Sequence, residues 1–181
     1  MNQPESFIFT PENQERADYI VSKYPEGRQA SAILPLLDLA QRQHGGWLPR
    51  AAIAYVANYL NMPEIRAFEV ATFYSMFNLK PVGKHFIQVC GTTPCMLRGA
   101  EDLIDVCKNH LNVGKDEVTP DGLFSWCEVE CLGACVNAPM VQINDDYYLD
   151  LDPEKFRNIL DGFKSDTPAP AKSKRGRNAR K

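Results

Sequence analysis

Apolar residues recur at helical spacing through the first half of the chain and at alternating spacing after it, and the change falls at Pro81-Val82-Gly83. Thr10-Pro11-Glu12 has the chemistry of a helix start: a capping hydroxyl, a proline suited to the first position and an acid beside the positive dipole end. The helix is expected to run to about Lys23, where Pro25-Glu26-Gly27 breaks it. Ile33, Leu36, Leu37 and Ala40 then share one face of a second helix. Pro35 falls in its first turn if Ser31 is the N-cap, and kinks it if the helix begins at Arg28. His44-Gly45-Gly46 ends this helix, and Pro49 opens a third, with Ile53, Val56, Ala57 and Leu60 as its stripe and Asn61 as its stop. Pro63-Glu64 begins a fourth. Its Ile65, Phe68, Val70, Ala71, Phe73 and Phe77 are too many for one narrow stripe, so at least two sides should be covered. A helix buried between the halves of the protein is expected, ahead of one covered by a partner chain.

Beyond Gly83 the pattern changes. His85 to Val89 reads as a strand running straight into Cys90, and Glu101 to Leu111 as a helix with Leu103, Ile104, Cys107 and Leu111 inward. Asn112 to Asp121 is a turn-rich connection, Gly122 to Cys127 a strand, and Cys131 to Ala138 a loop. Met140 to Ile143 and Tyr147 to Leu151 form a hairpin about Asn144-Asp145-Asp146, and Pro153 to Phe163 is a closing helix. The expected fold class is therefore α+β. An N-terminal helical bundle occupies 1–82, from about residue 10, and a small α/β sandwich of thioredoxin-like arrangement occupies 83–164. From 165 to 181 the chain has nothing apolar beyond alanine to bury. With six Lys or Arg between Lys172 and Lys181, this tail is expected to be disordered.

Composition narrows the classes of function. The 181 residues are 44% hydrophobic and 24% charged, ordinary for a globular protein, and the net charge of −3 gives no domain-wide basic field to attract nucleic acid. No apolar run approaches the ~20 residues of a membrane-spanning helix. Met1 to Glu15 is polar and has neither an apolar signal core nor an Arg-rich presequence, so the expectation is a soluble intracellular chain without direct membrane insertion. In that setting six cysteines are better read as reduced thiols available as ligands than as a disulfide framework.

Four of them form two close pairs. Cys90-Gly91-Thr92-Thr93-Pro94-Cys95 has four residues between its cysteines, Cys131-Leu132-Gly133-Ala134-Cys135 has three, and 35 residues separate the pairs. Two distant loops meeting in four thiolates suit either tetrahedral zinc or a [2Fe-2S] cluster. Both spacers exceed the two-residue knuckle usual for structural zinc, which leans the spacing toward iron and sulfide. Gly91 and Gly133 allow amides to turn inward, and Thr92 and Thr93 add hydroxyl donors that tune a cluster's potential. Glu128 and Glu130 place negative charge beside Cys131, which would hold that potential low. Cys107 reads as a small buried hydrophobe. Cys127 competes for a ligand position, because Cys127, Cys131 and Cys135 recur at intervals of four. The compact turn Leu132-Gly133-Ala134 favours Cys131 with Cys135. A thioredoxin-type dithiol enzyme ranks behind both metal readings, since there is no Cys-x-x-Cys.

Cys90 to Cys95, Glu130-Cys131-Leu132-Gly133-Ala134-Cys135, Gly46-Trp47-Leu48-Pro49 and Val70-Ala71-Thr72-Phe73-Tyr74 together resemble a known family. In order and spacing they are similar to the small [2Fe-2S] subunits of the peripheral arm of respiratory complex I, the E-subunit family of NADH:quinone oxidoreductase. The resemblance covers about residues 10 to 163. It implies a thioredoxin-like ferredoxin domain whose single cluster is held by Cys90, Cys95, Cys131 and Cys135, with Cys127 outside the ligand set. It implies docking on an FMN- and NADH-binding flavoprotein subunit among other peripheral-arm subunits, on the cytoplasmic side of the inner membrane. The FMN belongs to that partner, and this chain has no Gly-x-Gly-x-x-Gly nucleotide fingerprint of its own. The role implied is one-electron carriage, with no turnover by the isolated chain. Related subunits serve NAD-linked hydrogenases and formate dehydrogenases, and a zinc-stabilised thioredoxin-like interaction module is the alternative of another class. The basic tail departs from the family core.

Overall fold

The computed structural model describes residues 3–164. The expected disorder of the basic tail concerns 165–181, which lie outside the described residues. The chain divides into two compact units between Val82 and Gly83.

The first unit is helical. Helix α1 (Pro11–Ser22) starts as its sequence dictates, with the Thr10 hydroxyl accepting the Asn13 N–H at 3.3 Å. A 3-10 turn at Gln29–Ala32 leads into α2 (Ile33–Gln43), so Ala32 and not Ser31 precedes the helix. Pro35 is the third residue of α2, where an amide would have no intrahelical acceptor, and a kink is not needed. Helix α3 (Arg50–Tyr59) ends at Asn61, which takes a φ of 50°. The Met62 and Asn61 amides reach back to the Ala57 and Asn58 carbonyls, the paired bonds of a Schellman stop. Leu36, Leu37, Ile53, Val56 and Ala57 are at the centre of the core these helices share.

Helix α4 (Glu64–Phe73) corrects the expectation of burial on two sides. Only Ala67 and Ala71 are buried, while Ile65 is 64% and Phe73 81% exposed. The small residues let α4 pack closely against α3, Phe68 and Val70 pack half-buried against the same core, and Ile65 and Phe73 point away. The segment after α4 is pinned by the buried Gln41, whose amide donates to the Met76 carbonyl at 3.0 Å and accepts the Asn78 N–H at 2.7 Å.

The second unit is a four-stranded sheet in the order β2-β1-β3-β4. Strand β1 (His85–Cys90) pairs in parallel with β2 (Phe124–Val129), from His85 opposite Phe124 to Cys90 opposite Val129. A parallel pair needs a long crossover. Here it contains the short helix α5 (Thr93–Leu97), which the loop expectation missed, and α6 (Ala100–Leu111). Strands β3 (Val141–Ile143) and β4 (Asp146–Tyr148) follow as an antiparallel hairpin, with β3 on the other side of β1. The return strand is shorter and earlier than expected, and helix α7 (Pro153–Lys164) follows it. The core joins Ile87, Val89, Leu103, Trp126, Val141 and Phe156. Trp126 is buried because its Nε1–H finds the Val113 carbonyl at 3.0 Å. Among the described residues no helix is long and apolar enough to cross a membrane.

Candidate metal centre

Two loops converge at one end of the sheet. Cys90 is the last residue of the central strand β1, and its position is fixed on both sides. Its amide reaches the Met140 carbonyl at 3.4 Å, and the next amide, of Gly91, reaches the Val129 carbonyl at 3.0 Å. The Gly91 amide is thus used by the sheet and does not turn toward sulfur as expected. Thr92 then precedes helix α5, whose first turn carries Cys95 inward to a second buried position. The segment Thr92-Thr93-Pro94 has the same hydroxyl-then-proline signal that opens α1, so this helix was readable.

The second loop leaves β2 at Val129 and holds Cys131 and Cys135, both exposed. The Gly133 amide donates to Cys131 Sγ at 3.3 Å, which needs the left-handed φ of 77° at Gly133. A short 3-10 turn at Cys135–Asn137 and the cis Ala138–Pro139 bond lead back into β3. Cys90, Cys95, Ala100, Ala134, Ala138 and Met140 form a small apolar cluster on the inner side, with Leu132 and Leu149 packed against it.

The four thiols of the two pairs are brought together. Cys131 Sγ and Cys135 Sγ are 3.5 Å apart. Cys90 and Cys95 perturb each other's ionisation, the Leu132 backbone of the opposite loop favours the Cys90 thiolate, and the charges of Cys90 and Cys135 act on sulfurs of the other pair. Burial opposes a thiolate at Cys90. The Thr92 hydroxyl and the Leu132 and Thr92 amides outweigh it, so this thiol lies below the ordinary range. Its neighbour Cys95 is pushed up to about 11, first by burial and then by Cys90. In the second pair the Gly133 amide and Cys135 lower Cys131, and the hydrogen bond to Cys131 raises Cys135.

The remaining cysteines are elsewhere. Cys107 is buried in α6 and pushed up to about 12, chiefly by burial, with a smaller contribution from Cys127. Cys127 lies within β2 opposite Gln88 and is pushed up to about 11 by burial and Asp116. Asp116, Lys115 and Glu128 act on it electrostatically, and it acts on Cys107. Glu128 is met by Lys115 at 3.5 Å, which offsets its charge beside the site.

The donor set fits a binuclear iron-sulfur group. Four thiols in two pairs can give each of two irons a pair of thiolates, and amides and a hydroxyl already point at sulfur. Among the described residues, no group of three or more His, Cys, Asp or Glu is arranged to hold a single metal ion.

Residues 17–164 match the family described as thioredoxin-like [2Fe-2S] ferredoxin. The chain belongs to that family. Among relatives of this ferredoxin, the NADH-quinone oxidoreductase E subunit of Rickettsia bellii is 62% identical over 161 residues, 89% of this chain and 96% of that one. The E subunit of Rickettsia prowazekii is 56% identical over 158 residues, 87% of this chain and 89% of that one. A solved NAD+-reducing [NiFe]-hydrogenase aligns with a TM-score of 0.62 at 21% identity over 73% of this chain. This ferredoxin spans 23% of that polypeptide, and at this identity the likeness is one of fold.

Proposed function

We propose that the chain is the one-electron carrier subunit of an NADH-quinone oxidoreductase, and that Cys90, Cys95, Cys131 and Cys135 hold its [2Fe-2S] cluster. The observation that carries this reading is the meeting of two thiol pairs from distant loops, in a chain 62% identical over most of its length to an NADH-quinone oxidoreductase E subunit. When bound, such a cluster takes up and gives back one electron at a time.

The chain's own residues divide the work. Cys90 and Cys95 are almost wholly shielded, at 2% and 1% exposure, and Met140, Ala134 and Ala138 keep water from that side. Cys131 and Cys135 are exposed, so the site is open to a redox partner on one side only. Apolar side chains stand close in sequence to the cysteines: Leu97, at the end of α5, is 76% and Val136, in the 3-10 turn, 92% exposed, and both suit burial against another protein. The partner proposed is a flavoprotein that binds NADH. NADH gives up two electrons as hydride while an iron-sulfur group accepts one, so a flavin has to stand between them. The four-helix unit and the sheet unit show no glycine-rich dinucleotide fingerprint with which to hold it. The proposed location is the cytoplasmic side of the inner membrane, reached through the complex. The relatives named as E subunits favour the quinone oxidoreductase over a hydrogenase, whose likeness here is in fold.

The test is reconstitution. The isolated full chain should oxidise no NADH with an artificial acceptor, and adding an FMN-bearing, NADH-binding flavoprotein should produce a complex in which this chain's iron-sulfur signal is reduced by NADH. Oxidation by the isolated chain at the rate of the pair would refute the carrier role.

A further inference from the structure

Thr92 sits where a helix-capping hydroxyl belongs and does not cap. Its backbone does what an N-cap backbone does: φ −73° and ψ 163° are extended, and its carbonyl accepts the Met96 N–H at 2.9 Å. Its side chain makes no bond to the first amides of α5. Instead Oγ1 lies 3.4 Å from Cys90 Sγ. The contrast is Thr10, which stands at the same point of α1 and does cap, accepting the Asn13 amide at 3.3 Å. A capping bond has been given up in favour of sulfur.

We propose that the Thr92 hydroxyl is a positioning residue that sets the reduction potential of this centre, by donating its proton to the Cys90 sulfur more strongly when the centre is reduced. The inference rests on the carrier reading above and deepens it. Thiolate sulfur only accepts hydrogen bonds, so between Thr92 and a Cys90 thiolate the hydroxyl is the donor. Adding one electron, from a reduced flavin or another one-electron donor, raises the negative charge on the sulfurs. The O–H bond stays intact and no bond to Thr92 forms or breaks. The hydrogen bond strengthens with that charge, so removing it disfavours the reduced state. The hydroxyl is held in advance. The Thr92 carbonyl is engaged by α5, the Gly91 amide by β2, and a β-branched side chain has few rotamers open to it. Thr93, which the sequence offers as an equal candidate, is the first residue of α5 and has no such bond to sulfur among the described residues.

The experiment is a redox titration of the purified full chain, followed by the electron paramagnetic resonance of the reduced centre. Thr92→Val keeps the shape and removes the proton, Thr92→Ser keeps the hydroxyl, and Thr93→Val is the neighbour control. The expected result for Thr92→Val is a fall of about tenfold in the relative stability of the reduced state. For a one-electron couple this is about 59 mV toward lower potential. Thr92→Ser and Thr93→Val should stay near the wild-type value. A Thr92→Val chain with intact iron and sulfide and an unmoved potential overturns the proposal, as does a Thr92→Ser shift equal to that of Val. If Thr92→Val and Thr92→Ala both fail to retain iron while Thr92→Ser retains it, Thr92 is structural and the proposal is again overturned. A wild-type chain that contains no iron and sulfide would instead end the carrier reading itself, so the two failures are distinguishable.

Discussion

Replacing Gly83 by alanine should damage the cysteine site from a distance. A Cβ built on Gly83 would lie 2.3 Å from the Phe124 carbonyl carbon, 2.6 Å from the Ser125 nitrogen and 2.7 Å from the Phe124 Cα. All three are backbone atoms of β2 that no rotamer change can move, and ordinary carbon contacts need about 3.5–4.0 Å. The strands would have to part by about 1 Å or more at the end where their pairing begins. Overpacking of this kind costs about 1–3 kcal/mol. The displacement also threatens the Gly83 N–H bond to the buried Ser125 Oγ at 2.8 Å, and an unsatisfied buried group costs about 1–3 kcal/mol more. The sum is about 2–6 kcal/mol, a large part of the 5–15 kcal/mol that holds an ordinary domain together. Because Cys90 lies at the far end of the same strand pairing, cluster retention should fall with stability. Urea unfolding followed by visible absorbance and circular dichroism measures it. Gly122→Ala is the comparison: φ is 73° but nothing lies within 4 Å, so strain alone should cost about 1–2 kcal/mol. A Gly83→Ala midpoint as high as that of Gly122→Ala would refute the close approach of β1 and β2.

Cys127→Ser should leave the visible absorbance intact, whereas Cys131→Ser should bleach it, because only the latter sulfur stands with the other pair; the ultraviolet-visible spectra of the two variants decide this. Tyr59 should ionise late. Burial and its hydrogen bond to the Asp18 carboxylate push it from 10.0 up to about 12, so the stability it lends is full below 10 and is lost as pH rises through the folded value. Tyrosinate absorbance should show one late-titrating group that disappears in Tyr59→Phe and moves back toward 10 in Asp18→Asn. An unchanged titration in both variants would refute the Tyr59–Asp18 pairing.

Elements whose signals are local were legible in the sequence. Thr10-Pro11, Asn61 and the run from His85 into Cys90 each specify their own conformation through a cap, a left-handed stop or an alternating pattern. The paired cysteines were legible for the same reason, since their spacing is a local fact. What depended on tertiary packing was not. The exposed Ile65 and Phe73 read as core because apolar spacing does not say which face has a neighbour, and here Ala67 and Ala71 make the contact. The separation of Cys127 from Cys131 also came from tertiary geometry. Intervals of four along the sequence are equal, but Cys127 is within a strand and Cys131 beyond its end. The Gly91 amide looked available to sulfur until the sheet claimed it, and the Thr92 hydroxyl looked like one of two equivalent threonines until α5 distinguished them.

The central claim is that two thiol pairs hold one binuclear iron-sulfur group. Chemical analysis of the full chain purified without added metal tests it most directly. The expected content is about two irons and two acid-labile sulfides per chain, in a red-brown protein. A colourless chain carrying about one zinc and no sulfide would contradict it and make the convergent cysteines a structural zinc site.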